Sequence, residues 1–213
     1  MEVIPAINEI YFRQVEEKIK IAESFVAPAG GWIHLDVVDG FFAPNVTWGN
    51  PRELKEIKTP LNIEVHLMVE KPESKIETWL KAGAKRLIVH VEAFSDPSFI
   101  LDKAKLYGAD VMVAINPNTS IDTMAPYLTN INFFQVLAVD PGIAGQKFQE
   151  KVLEKIKFLR ERAPAAKIEV DGGINPETAK MVKDAGADMV ASASYIFDHP
   201  ISFAEGYREL QLV

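Results

Sequence analysis

Three apolar stretches of the 213-residue chain carry polar residues that a core does not keep without a reason. They are His34, Asp36 and Asp39 in GWIHLDVVDG (31–40), Glu64 and His66 in LNIEVHLMV (61–69), and Asp171 closing KIEVD (167–171). A buried carboxylate is costly unless a partner or a metal compensates it. On a strand, alternate side chains share a face, so His34, Asp36 and Val38 lie on one side, as do Glu64, His66 and Met68. Two imidazoles and two carboxylates meeting at one point suit Zn²⁺, Fe²⁺ or Mn²⁺ and suit Ca²⁺ poorly. His34, Asp36, His66 and Asp171 are therefore candidate ligands of one divalent metal ion. Each alone also reads as an ordinary hydrogen-bonded core residue; it is their convergence that favours a metal. Asp39 has the opposite parity to Asp36 and reads as an organiser of the 40–45 loop through backbone N–H groups. His90, in IVHVEA, reads as a pocket-lining or core histidine, and His199, beside Pro200, as structural.

A second constellation is rich in small residues: DPGIAGQKF (140–148), VDGGINP (170–176) and ASASYIF (191–197). Each leads from a strand end towards a helix, where backbone N–H groups bind phosphate. Gly142, Gly145, Gly172, Gly173, Ala193 and Ser194 are the candidate phosphate-facing positions. Glycines are also routine turn residues, so no single one decides the matter.

The elements that must position these residues alternate along the whole chain. Val- and Ile-rich runs at 2–7, 31–38, 61–69, 86–91, 110–116, 133–139, 167–171 and 188–194 predict strands. Helical periodicity falls near 9–24, 51–58, 73–82, 97–107, 121–129, 147–162, 176–185 and 201–212. Pro51, Pro72, Pro97 and Pro176 stand at first turns, and Gly83, Gly108 and Gly186 just past helix ends. Strict strand–helix alternation implies a parallel sheet, and the expected fold is an α/β (β/α)₈ TIM barrel over 1–213 as a single domain. An open doubly wound sheet is the rival, but no G-x-G-x-x-G follows the first strand. In a barrel, inward residues at strand carboxyl ends point into the mouth, which gathers His34, Asp36, His66 and Asp171.

Composition narrows the function further. With net charge −7 and mixed signs there is no basic stripe, which argues against nucleic acid or an anionic membrane as partner. The absence of cysteine excludes disulfides and Cys-ligated metal centres. MEVIPAINEI lacks a basic n-region and is not read as a signal peptide, and no apolar run spans a bilayer, so the expected location is cytoplasmic.

The motif set resembles the ribulose-phosphate 3-epimerase family. The matching stretches are HLDVVDGFFAPN (34–45), EVHLMVEKPE (64–73), VHVEA (89–93), AINPNTS (114–120), VDPGIAGQKF (139–148) and VDGGI (170–174), in family order and covering almost the whole chain. The resemblance implies a metal-dependent isomerase of carbohydrate metabolism in the pentose phosphate pathway, interconverting D-ribulose 5-phosphate and D-xylulose 5-phosphate. It places the metal ligands on His34, Asp36, His66 and Asp171 and the acid/base pair on Asp36 and Asp171. It also implies a small-molecule sugar phosphate as partner and a homo-oligomer, to which Phe41, Phe42 and Trp48 could contribute; a loop packed over the barrel mouth would explain those aromatics equally well.

Departures from the family pattern fall on the pocket. Ala6 and Asn8 stand where a serine and a leucine are usual, Val38 and Leu137 replace methionines while Met68 is kept, and Phe41 replaces a histidine. Ala144 disfavours a positive φ in the sixth loop, and Ala193 adds a methyl beside the phosphate. These changes leave open a 3-epimerase of a hexulose 6-phosphate (allulose 6-phosphate type), or a sugar-phosphate-binding relic of low activity. The related lyases use a lysine in Asp-x-Lys-x-x-Asp, where this chain has Val38.

Overall fold

A computed structural model describes residues 1–26 and 30–213. Eight strands run parallel in sequence order and close, β8 pairing with β1: β1 (Glu2–Ile7), β2 (Trp32–Val38), β3 (Asn62–Met68), β4 (Arg86–His90), β5 (Asp110–Ile115), β6 (Phe133–Leu137), β7 (Lys167–Asp171) and β8 (Met189–Ser192). The expected TIM barrel is the observed fold. Around it lie α1 (Phe12–Val26), α2 (Pro51–Leu54), α3 (Ile76–Ala82), α4 (Pro97–Leu106), α5 (Leu153–Arg162), α6 (Pro176–Ala185), α7 (Ser194–Phe197) and α8 (Phe203–Gln211). Among the described residues no helix is long and apolar enough to cross a membrane.

Local chemistry sets the element ends. The α6 start is a capping box: the Asn175 side chain accepts from the Thr178 N–H, Thr178 Oγ1 accepts from the Asn175 N–H, and Pro176 fills the first turn. Gly186 then ends the helix in the left-handed region at φ 114°, where its missing Cβ removes the strain. Several expected boundaries move. The helix expected over 121–129 is a 3₁₀ run, Ile121–Tyr127, because Pro126 inside it has no N–H to donate. The helix expected over 51–58 closes at Leu54 and continues only as isolated turns towards Pro60. The strand expected to reach 194 stops at Ser192, and α7 begins two residues later.

Register decides which residues face the bore. His34 pairs with Glu64, Asp36 with His66, Val38 with Met68, and Leu137 with Asp171. Paired residues share a face, and a one-residue slip would turn the whole set outward. The outward face of the sheet packs on the helices through Leu35, Val65, Leu87, Phe134 and Val170, all at most 1% exposed. The bore is filled differently. Ile4, Ile88, Met112, Ala114 and Met189 form an apolar plug, and His34, Glu64, Arg86, Gln135 and Glu169 form a buried polar band.

Candidate active site

At the carboxyl ends of β2, β3 and β7, four donor atoms converge. His34 Nε2 lies 3.2 Å from Asp36 Oδ1 and 3.3 Å from His66 Nδ1, and His66 Nδ1 lies 3.1 Å from Asp36 Oδ1. Asp171 Oδ2 completes the group at 3.4 Å from His66 Nδ1 and 4.0 Å from His34 Nε2. Ligands of a tetrahedral first-row ion, at about 2.1 Å from the metal, stand about 3.4 Å apart, so this set fits one divalent cation. The donor types agree, since two imidazoles and two carboxylates satisfy Zn²⁺, Fe²⁺ or Mn²⁺.

The charges within this group respond to one another. Burial pushes the Asp36 carboxyl up, but hydrogen bonds from His34 and His66 outweigh it and hold Asp36 well below the ordinary carboxylate range. Burial likewise lowers both imidazoles; hydrogen bonds with Asp36 and Glu64 lift His34 well above its ordinary value, and contacts with Asp171 and Asp36 lift His66. Two carboxylates thus draw positive charge onto facing ring nitrogens, the electrostatic demand that a bound cation also meets.

Behind these four side chains lies an outer layer. The His34 Nδ1–H donates to Glu64 Oε1 at 2.7 Å, and Glu64 Oε2 accepts from the Arg86 guanidinium at 2.6 Å. That guanidinium sits 4.0 Å from the Trp32 ring centroid and 4.5 Å from that of Phe133, a cation–π sandwich within the bore. Gln135 donates to Glu169 Oε1 at 2.9 Å, and burial together with the Glu64 charge pushes Glu169 well above its ordinary value. On the other flank, His66 Nε2 lies 2.8 Å from His90 Nε2, and His90 Nδ1 lies 3.3 Å from Glu92 Oε2. Burial lowers His90. Burial opposes ionisation of Glu92 too, yet the contact with His90 and the Asn116 N–H, at 2.9 Å from Oε1, hold it down at about 2.

The four-atom group opens on a cavity at the barrel mouth. Asp36 and Asp171 line it, together with Asn8, Met68 and Leu137. Gly142, Gly145, Gly172, Gly173, Ala193 and Ser194 line the rest. The other two expected pocket residues lie behind it: Ala6, 1% exposed, registers with His34 in the barrel wall, and Val38 packs with Ala43 and Met68. Gly172 and Gly173 are required by close approach as well as by conformation. A Cβ on Gly172 would meet Val139 Cγ2 at 2.5 Å, and one on Gly173 would meet the Phe148 backbone nitrogen at 2.6 Å. Ala193 has φ −99°, so its methyl carries no backbone strain. Ala144 does not occupy a positive φ either; Gly142 (φ 114°) and Gly145 (φ 79°) absorb the turn around it.

The sixth loop is clasped over the mouth by two amides. Asn8 Nδ2 donates to the Gly142 carbonyl at 3.1 Å and to Asp36 Oδ2 at 3.0 Å, while Asn45 Nδ2 donates to the same carbonyl at 2.8 Å. Asp39 does what its parity suggests: Oδ1 accepts from the Phe41 and Phe42 N–H groups, and Oδ2 from Glu70 N–H and Lys75. His199, packed on Tyr195 and 3.5 Å from Glu209, lies in α7–α8 away from the site. Trp48 is buried against Phe12 and Trp79, which withdraws it from any contact between copies; Phe41, 78% exposed, is free on the rim.

Reading the sequence missed Arg86, Gln135, Glu169, Glu92 and Asn45. Glu169 and Glu64 carried a usable signal, since each stands two residues before a member of the four-atom group on the same strand face. Arg86 was a charge inside an apolar strand.

Comparison with known proteins agrees with this geometry. The model of the "Ribulose-phosphate 3 epimerase family" matches residues 2–197. A ribulose-phosphate 3-epimerase of Chlamydia muridarum is 40% identical over 173 residues, covering 78% of this chain and 75% of the relative. Those of Synechocystis and Bacillus subtilis are 36% and 35% identical, covering 95% and 92% of this chain and 90% and 92% of their own. Among solved structures, the 3-hexulose-6-phosphate synthase of Salmonella typhimurium superposes with TM-score 0.74 at 17% identity, covering 100% of this chain and 97% of its own, a likeness of fold alone. Carried by a match along nearly its whole length, the chain belongs to the ribulose-phosphate 3-epimerase family.

Proposed function

We propose that this isomerase inverts C3 of a ketose phosphate, with the D-ribulose 5-phosphate/D-xylulose 5-phosphate pair as substrate. The observation that carries this reading is that two carboxylates, Asp36 and Asp171, belong to one cation-sized group of donors and line a cavity that glycine-rich loops also line. Inversion requires a proton to leave C3, its electron pair forming the C2–C3 double bond of a planar ene-diolate, and a proton to return on the opposite face. Asp36 and Asp171 are the two groups that exchange those protons, one on each face. Asn8 fixes the Asp36 carboxylate through Oδ2, and Met68 and Leu137 keep water from the reacting carbon. His34, Asp36, His66 and Asp171 would hold one divalent ion, which supplies Lewis-acid stabilisation of negative charge on the substrate oxygens. Backbone N–H groups of Gly172, Gly173, Ala193 and Ser194 would take the phosphate, with Gly142 and Gly145 in the loop that closes over it. A homo-oligomer using the exposed Phe41 rim accompanies this reading.

The test is incubation of metal-loaded protein with D-ribulose 5-phosphate in D₂O. Deuterium at C3 and xylulose 5-phosphate are expected, and both are lost in Asp171→Asn. Exchange on a hexulose 6-phosphate alone would move the assignment to the larger ketose, and exchange on neither would leave a binding protein. Loss of bound metal in His34→Ala and His66→Ala is expected; unchanged metal content would sink the four-ligand set.

A further inference from the structure

We infer that His90 and Glu92 are positioning residues that fix which nitrogen of His66 is offered to the metal, an inference that rests on the metal reading above. Two ring nitrogens 2.8 Å apart can share one proton only: with none the lone pairs repel, and with two the hydrogens collide. The rings are nearly coplanar, 17° apart, and their 5.0 Å centroid separation is the N···N bond plus one ring radius at each end. They are therefore joined edge to edge in the geometry of an N–H···N hydrogen bond, not stacked face to face.

The direction of that bond follows from the other side of His66. Its Nδ1 faces Asp36 Oδ1 and Asp171 Oδ2, and must keep a lone pair to serve a cation there. The ring proton then sits on Nε2 and donates to His90 Nε2, which is bare. His90 in turn carries its proton on Nδ1, where Glu92 Oε2 accepts it at 3.3 Å. Glu92 is anchored by the Asn116 N–H from the loop after β5. His34 reaches its own carboxylate, Glu64, directly, so both candidate imidazole ligands end on an anion, one in a single step and one through a relay.

Two measurements test this. Zinc affinity by chelator competition separates the roles: His90→Leu removes the acceptor and is expected to weaken zinc about 10- to 100-fold, whereas His90→Gln restores an acceptor oxygen and most of the affinity. A folded His90→Leu that binds zinc as tightly as the parent overturns the relay while leaving the metal reading intact; failure of the parent itself to bind zinc overturns both. If His90→Leu does not fold, ¹⁵N spectra of the histidine-labelled, zinc-loaded parent decide, with His90 assigned through His90→Gln. Protonated Nδ1 and bare Nε2 on His90 are expected, and the opposite tautomer overturns the proposal.

Discussion

Replacing Gly142 by alanine isolates what holds the sixth loop over the mouth. Gly142 sits at φ 114°, and a Cβ there would meet Asn45 Oδ1 at 2.0 Å and the Ala43 methyl at 3.0 Å. Gly145, three residues on, has φ 79° but nothing within 4 Å of its would-be Cβ. Both substitutions carry backbone strain of about 1–3 kcal/mol. Only Gly142→Ala also forces Asn45 to swing away, breaking its amide bond to the Gly142 carbonyl, worth about 0.5–1.5 kcal/mol. The loop can relieve the total, about 1.5–4.5 kcal/mol, by leaving the mouth, since it belongs to no strand of the barrel. The cost should therefore appear in kcat/KM for ribulose 5-phosphate as about a 10- to 2000-fold loss, with little change in thermal midpoint. Gly145→Ala should lose less, about 5- to 30-fold if its strain is near 1–2 kcal/mol. In an Asn45→Ala background the extra damage from Gly142→Ala should shrink to that of strain alone. Equal losses for Gly142→Ala in both backgrounds would refute the clash, and a collapse in melting temperature with unchanged kcat/KM would refute a local loop effect.

Asn8→Ala removes the amide from Asp36 Oδ2 while Asn45 still serves the Gly142 carbonyl; kcat/KM should fall about 10-fold or more with stability near the parent's, and an unchanged rate would dismiss the clasp. Arg86→Met leaves Glu64 buried without its cation and should cost about 3–5 kcal/mol in urea unfolding; a change below about 1 kcal/mol would show that Glu64 needs no counter-charge. Asp188 is a pH probe. Burial raises its carboxyl, but the Ile168 N–H and the Arg160 guanidinium outweigh that and hold it below the ordinary 3.8. Its folded value being the lower one, the stabilisation is complete above pH 3.8 and disappears as acid protonates the folded carboxylate. Asp188→Asn should cost about 1–2 kcal/mol at pH 7, with the gap to the parent closing at lower pH; a gap that widens in acid would reverse the argument.

The fold was legible because eight apolar runs, Pro51, Pro97 and Pro176 at helix starts, and Gly83 and Gly186 at helix ends all gave one answer. Parity put His34 and Asp36 on one face of β2 and β2–β3 register set His66 beside Asp36, while closure of the barrel brings Asp171 across from β7. What stayed hidden depends on distance in three dimensions. Nothing in the residue order says that Asn8 and Asn45 meet at Gly142, 134 and 97 residues away. Ala144 disfavours a positive φ, but which residues of the turn take it is set by the tertiary path, and Gly142 and Gly145 do. Trp48 read as a loop aromatic and is a buried brace between Phe12 and Trp79, because hydrophobic type does not say which side of a loop is covered.

The bore of a TIM barrel is ordinarily a reservoir of branched apolar side chains, where one can be exchanged for another at small cost. Here an apolar plug shares it with a column of charge that runs from Arg86 between its two rings, through Glu64, to His34 at the mouth. A cation that binds only the folded chain adds to folding stability in proportion to the logarithm of its concentration over its dissociation constant. Occupancy at the mouth and cohesion of the barrel are therefore one equilibrium seen from two ends. If these four side chains hold an ion, a substitution deep in the bore should change how tightly it is held, and stripping it should loosen side chains that never touch it.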